Sequence, residues 1–94
     1  MVPQLKDAKF PLGRLVLTTG AYDALTAADM KMGLFWHMRG EWGAVSPQDR
    51  TENDRAVKNG GRILSAYLAK NGTRFWIVTE ADRSATTVLL PEEG

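Results

Sequence analysis

Cysteine is absent from the 94-residue chain, which excludes disulfide staples, thiolate zinc sites and cysteine nucleophiles together. Histidine occurs once, and neither sign of charge prevails: twelve Lys and Arg against eleven Asp and Glu leave a net charge of +1. That balance argues against an acidic DNA mimic and against a histone-like binder held by bulk positive charge, so nucleic acid is a less favoured partner than protein. No apolar run approaches the roughly 18 residues that span a bilayer, and the first six residues lack a secretory hydrophobic core. A cytoplasmic address without a membrane partner is expected. Phosphate-cradling glycine motifs, a nucleophile elbow around Ser65 or Ser84, and paired metal-ligand spacings are also missing, so no cofactor and no metal are expected. What remains is an ordinary globular composition, 44% hydrophobic and 24% charged, of a size for one small domain.

Residues 1–12 read as a loosely ordered N-terminal arm, with Pro3 and Pro11 limiting regular structure and Phe10 available as an anchor; residues 13–94 form the single domain. Leu15, Val16, Leu17, Thr18 and Thr19 make a β-branched run that predicts a strand. Thr19 can cap a short helical stretch through Ala21, Leu25 and Ala28. Thr26-Ala27-Ala28-Asp29 has capping-box spacing for a second helix stopped by Gly40. Met30, Leu34, Phe35 and Met38 fall at helical intervals along it, while Gly33 marks a point of kink or break. Ser46-Pro47-Gln48-Asp49 opens a third helix running to about Asn59, with docking positions only along Asn53, Ala56, Val57 and Gly60.

The last third alternates as strands do. Asn71-Gly72 signals a two-residue hairpin, which places Tyr67 opposite Trp76, Ser65 opposite Val78 and Ile63 opposite Glu80 on one face. A second turn at Ala81-Asp82-Arg83-Ser84 places Ile77 against Val88 and Phe75 against Leu90. The core face is then Leu64, Phe75, Ile77, Val88 and Leu90. The expected class is α+β: an N-terminal strand and two or three short helices packed on one face of a C-terminal three- to four-stranded antiparallel sheet. The other face presents Ser65, Tyr67, Arg74, Trp76, Glu80 and Thr87, to be covered by the N-terminal segment or by a second molecule.

His37-Met38-Arg39-Gly40-Glu41-Trp42-Gly43 has the form H-x-x-G-[DE]-W-G. With Pro11-Leu12-Gly13-Arg14-Leu15-Val16, Arg62-Ile63-Leu64-Ser65-Ala66-Tyr67 and the stretch from Trp76 to Pro91, it resembles a family of short bacterial proteins called plasmid-related, some mislabelled as restriction-enzyme subunits. The resemblance spans nearly the whole chain apart from residues 20–36. It implies the company of plasmids, integrated elements and phage-like islands, and no catalytic or binding residue.

Two groups of residues can carry function. Tyr67, Arg74 and Trp76 on the sheet, with Glu80, Asp82 and Arg83 at the hairpin tip, make a partner-binding surface of aromatic and charged groups. Arg83 there meets a partner's carboxylate or phosphate, or else is solvated or paired with Glu80 or Asp82. His37 with Glu80 and Arg83 makes the alternative, a general acid–base set for RNA cleavage, against the plainer role of His37 at a helix end. Trp42, bounded by Gly40 and Gly43, suits a lid over the core better than an exposed anchor. The leading expectation is a non-enzymatic accessory protein of a mobile genetic element that binds protein. An inhibitor of a host defence complex, of anti-CRISPR or anti-restriction type, is the specific form of it. A small toxin-like ribonuclease and a homodimeric structural module are the alternatives.

Overall fold

Three hydroxyl side chains start the three helices of the computed structural model, which describes residues 8–94. Thr18, one residue ahead of the expected cap, accepts from the Ala21 N–H at 3.1 Å and opens α1 (Thr19–Ala24). Thr26 and Asp29 exchange side-chain-to-backbone bonds of 3.1 and 3.2 Å, the capping box that opens α2 (Ala27–Met38). Ser46 accepts from the Asp49 N–H at 3.0 Å, and Pro47 fills the first turn of α3 (Pro47–Asn59). Helix α2 runs unbroken through Gly33. A Cβ at that position would lie 2.8 Å from Phe75 and 3.1 Å from Ile77, so the glycine serves close helix-to-sheet approach rather than a kink.

The strands β1 (Arg14–Leu17), β2 (Ile63–Leu68), β3 (Arg74–Thr79) and β4 (Ala85–Leu89) form one sheet in the order β1-β4-β3-β2. The C-terminal meander is antiparallel as expected, and Ile77 pairs with Val88. Strand β1 adds to it in parallel with β4, so the sheet is mixed. A single 3-10 turn at Pro91–Glu93 ends the chain.

The β2–β3 register corrects the expected one by a single residue. Ala69 and Thr73 close the hairpin (Ala69 N–H to Thr73 O, 2.8 Å) around a three-residue loop whose Gly72 sits at φ 88°. Within it Lys70 donates its N–H to Asp29 at 3.3 Å, and the Asn71 amide donates to the Ala24 carbonyl at 3.2 Å, tying the loop to α1 and α2. The extra loop residue inverts β2 relative to β3. Tyr67 therefore faces Phe75, Ser65 faces Ile77 and Ile63 faces Thr79, while Trp76 stands opposite Ala66. The core face is Ile63, Ser65, Tyr67, Phe75, Ile77, Thr79, Thr86 and Val88, and Leu64 lies on the reverse side.

All three helices pack on that core face. Ala21, Leu25 and Leu34 cover Tyr67, Phe75, Ile77 and Val88, while Met38, Trp42 and Ala56 gather around Ile63. The expectation of a loose arm falls partly on residues 1–7, outside the described residues. Residues 8–12 are packed: Phe10 and Leu12 are buried beside Met38 and Trp42, and the Lys9 N–H donates to Met38 O at 2.8 Å.

The outer edge of β2 is covered along Leu64 and Ala66. Asn53 from α3 bonds both backbone groups of Leu64, its amide donating at 2.7 Å and its carbonyl accepting at 3.2 Å. The Ala66 N–H donates to Trp42 O at 3.0 Å, and the Ala44 N–H donates to Ala66 O at 2.8 Å. Four bonds thus spend the outward donors and acceptors of Leu64 and Ala66, by which an edge strand recruits another chain.

Candidate functional site

His37 is fully buried near the end of α2, where the strands supply its partners. Nδ1 lies 2.5 Å from Ser65 Oγ, and Nε2 lies 2.8 Å from Thr79 Oγ1. Thr79 Oγ1 lies 2.7 Å from Thr86 Oγ1, which donates to the Leu12 carbonyl at 2.6 Å. Each hydroxyl has one proton, so the carbonyl at the end sets the direction of the chain. Thr86 donates to Leu12, Thr79 donates to Thr86, His37 Nε2–H donates to Thr79, and Ser65 donates to Nδ1. The ring is the neutral Nε2–H tautomer, and burial pushes its pKa down to about 3. No carboxylate joins the chain, and neither nitrogen is left for a substrate.

The catalytic alternative therefore loses its geometry. His37, Glu80 and Arg83 do not form one reactive cluster: the imidazole is sealed, Glu80 is exposed, and the Arg83 guanidinium is committed to backbone. Arg83 Nη1 donates to Gly61 O at 2.6 Å and to Glu80 O at 3.1 Å, and Nη2 donates to Ala56 O at 2.7 Å. Its guanidinium also lies 5.6 Å over the Phe10 ring. The residue thus caps the C-terminus of α3 from the β3–β4 turn, with its own backbone at φ 63°. Neither expected role for it, partner contact or solvated tip, matches this placement. Asp82 is exposed and shapes the same turn: its carboxylate accepts from the Ser84 N–H at 2.9 Å, and hydrogen bonding to Ser84 holds it below the usual carboxylate range.

Arg83→Ala is accordingly expected to destabilise the fold by about 2 kcal/mol, the loss of charged donors from part-buried carbonyls. Arg83→Lys recovers less than half, because one ammonium cannot span Ala56 O and Gly61 O. Arg83→Gly falls short of wild type by less than alanine does, since only glycine adopts the positive φ without strain. Urea unfolding of the four proteins measures the order.

The aromatic pair expected on one face is split. Tyr67 is only 7% exposed, lies against Phe75 and Trp36, and donates its hydroxyl to Glu41 O at 2.7 Å. Desolvation raises its phenol pKa. Trp76 and Arg74 stay on the reverse face, Trp76 half-buried against Gly94 and Arg74 exposed.

The exposed apolar surface lies next to them and was not legible as a site. Leu68 is 65% exposed, Met32 is 48% exposed, and Trp36 is also at the surface. Three adjoining clefts share these residues. One of about 310 Å³ lies between Met32, Trp36, Leu68 and Phe75, with Asp29 and Lys70 at its rim. One of about 290 Å³ runs from Leu68 past Ala66 to Arg74 and Trp76. One of about 480 Å³ opens on the far side of Trp36 toward Tyr67, Glu41 and Arg50. Met32 and Trp36 stand four apart in α2, off the Met30/Leu34/Met38 stripe, and that spacing was the available signal.

Among the described residues no three carboxylate or imidazole groups gather as a metal site, and no helix is long and apolar enough to cross a membrane. Set against family models, curated proteins and solved structures, the chain has no match.

Proposed function

We propose that this chain is a non-enzymatic accessory protein of a mobile genetic element that binds a protein component of a host defence complex. The carrying observation is the ridge of Met32, Trp36 and Leu68, apolar groups left at the surface and continued by the part-buried Trp76 along three connected clefts. Large apolar side chains grouped at a surface are the usual anchors of a protein interface, and tryptophan and arginine are its commonest hot spots. Lys70, Arg74 and Arg50 border the ridge together with Asp29 and Glu41, so the fitting partner offers an apolar hollow with a rim of mixed charge. The mobile-element setting rests on the resemblance of residues 37–43, 62–67 and 76–91 to plasmid-related proteins.

The test is protection of incoming DNA. Cells carrying a restriction or CRISPR system are challenged with phage or plasmid while expressing the chain, and a purified defence component is titrated against it. Wild type should raise the efficiency of establishment. Leu68→Asp and Trp36→Ala should each weaken binding about 30-fold, the loss of roughly 2 kcal/mol at a hot spot, and abolish protection. Unaltered binding and protection by both folded variants would sink the reading.

A further inference from the structure

The two edges of the sheet are treated differently. Four bonds cover β2 at Leu64 and Ala66, whereas β1 has no such cover among the described residues. The Arg14 N–H donates to Ser84 O at 3.0 Å and the Thr18 N–H to Val88 O at 3.1 Å. Even-numbered residues of this strand therefore turn their backbone toward β4, and the N–H and C=O groups of Leu15 and Leu17 point away from the sheet. The side chains of these two leucines are 55% and 43% exposed. Lysine, proline or a bulge would ordinarily blunt such an edge, and Arg14–Leu17 contains no lysine or proline.

We propose that β1 is the pairing edge for a second copy of this chain, which joins antiparallel about a two-fold axis to make one eight-stranded sheet. The strand is complementary to itself. With Val16 on the axis, Leu15 of each copy lies opposite Leu17 of the other, and each such pair exchanges two hydrogen bonds through the outward backbone groups. Leu15 and Leu17 flank Thr86 and Val88 on the helix-bearing face, so four leucines extend the core layer across the junction.

Charge fits the same register. Arg14 falls opposite Thr18 of the second copy, and both project on the reverse face with Val16. Thr18 Oγ1 donates to Glu93 Oε1 at 2.6 Å, and the Gly20 and Leu90 N–H groups hold the same carboxylate at 3.2 and 2.8 Å. Among the described residues neither Arg14 nor Glu93 has an ion-pair partner of its own. The two-fold sets each guanidinium beside the other copy's anchored carboxylate, twice over.

Because the chain lacks cysteine, introduced thiols report the register directly. Val16 faces itself in a non-hydrogen-bonded pair, where Cα atoms stand roughly 4.5 Å apart, within disulfide range. Val16→Cys should oxidise to a covalent dimer. Leu15→Cys alone should not, while an equimolar mixture of Leu15→Cys and Leu17→Cys should. In sedimentation, wild type at high concentration should reach twice the 10.4 kDa monomer mass. Leu15→Pro removes an N–H that the fold itself does not use. It should raise the dimer dissociation constant at least tenfold with little change in melting temperature, and Leu17→Asp should do the same by desolvation of charge. Leu68→Asp, on the ridge of the proposed function, should leave the dimer intact. A chain monomeric at every concentration whose Val16→Cys variant fails to cross-link overturns the proposal. So does a Leu15→Cys variant that cross-links with itself as fast as Val16→Cys.

Discussion

Trp42→Ala is expected to cost about 3–5 kcal/mol, the usual range for deleting a buried indole. A domain of this size has roughly 5–15 kcal/mol in all, so the loss removes a large share of what keeps the chain folded. Trp42 is 1% exposed, and four parts of the chain meet on it. Phe10 stacks on one side at 6.1 Å and 29°, and the edge of His37 meets it at 5.9 Å. Ala56 of α3 and Ile63 of β2 join the same cluster. The indole N–H donates to Asp54 at 3.0 Å, fastening the α3 surface that faces the loop. The loop cannot retreat to fill the hole, because the Trp42 carbonyl and the Ala44 N–H are bonded to Ala66. At Gly43 the backbone has φ 74°, and a Cβ would stand 2.1 Å from the Ala66 carbonyl. Trp42→Phe keeps the ring contacts and loses the Asp54 bond, for an expected cost of about 1–2 kcal/mol. Trp76→Ala, at a part-buried ring, should cost less than Trp42→Ala. Urea unfolding followed by far-ultraviolet circular dichroism ranks the three; a Trp42→Ala loss no larger than that of Trp76→Ala would contradict the packing argument.

Local chemistry was readable where it is self-contained. The caps at Thr26 and Ser46, the end of the third helix at Asn59, the β3–β4 register, Phe10 as an anchor and Trp42 as a lid all follow from residues within a few positions of one another. The β2–β3 register was not readable, because Asn71-Gly72 serves a two-residue and a three-residue loop equally well. What selects the longer loop is distant in sequence: Asp29 receiving the Lys70 N–H, and the Ala24 carbonyl receiving Asn71. Polarity then misdirected the choice of face. Ser65 and Tyr67 look outward by composition, yet Ser65 is buried as the donor to His37 and Tyr67 finds a carbonyl at Glu41. A buried polar group is legible only together with its partner, and here the partners lie 28 and 26 residues away. Arg83 hides in the same way, since its acceptors at Ala56 and Gly61 come from the end of another element. The fold class survived because helices on one face of a C-terminal meander do not depend on which face of β2 is inside. The proposed surface changed because it does: Leu68 came out as Tyr67 went in.

Acidification should weaken the fold before any carboxylate responds, through His37 alone. In the unfolded chain its imidazole titrates at about 6.5, and in the fold burial pushes that value down to about 3. The folded state therefore binds no proton at His37 over the interval in which the unfolded state takes one up. Stability is at its full value above pH 6.5 and falls as the pH drops toward 3, approaching a slope of about 1.4 kcal/mol per pH unit. Between pH 6.5 and 5 the accumulated loss is about 2 kcal/mol. Asp82 and Glu93, whose pKa values are lowered by hydrogen bonds to Ser84 and Thr18, act in the same direction but only below the ordinary carboxylate range. With a single histidine in the chain, the interval from 6.5 to 5 isolates the imidazole. Equilibrium urea unfolding at half-unit steps gives the slope. His37→Gln, which presents an acceptor and a donor without titrating, should start lower by the cost of imperfect bonds to Ser65 and Thr79 and then stay flat across that interval. A wild-type curve as flat as the variant's would mean that His37 takes up its proton within the fold, with the Ser65 hydroxyl turned from donor to acceptor at Nδ1 while Thr79, Thr86 and Leu12 keep their direction.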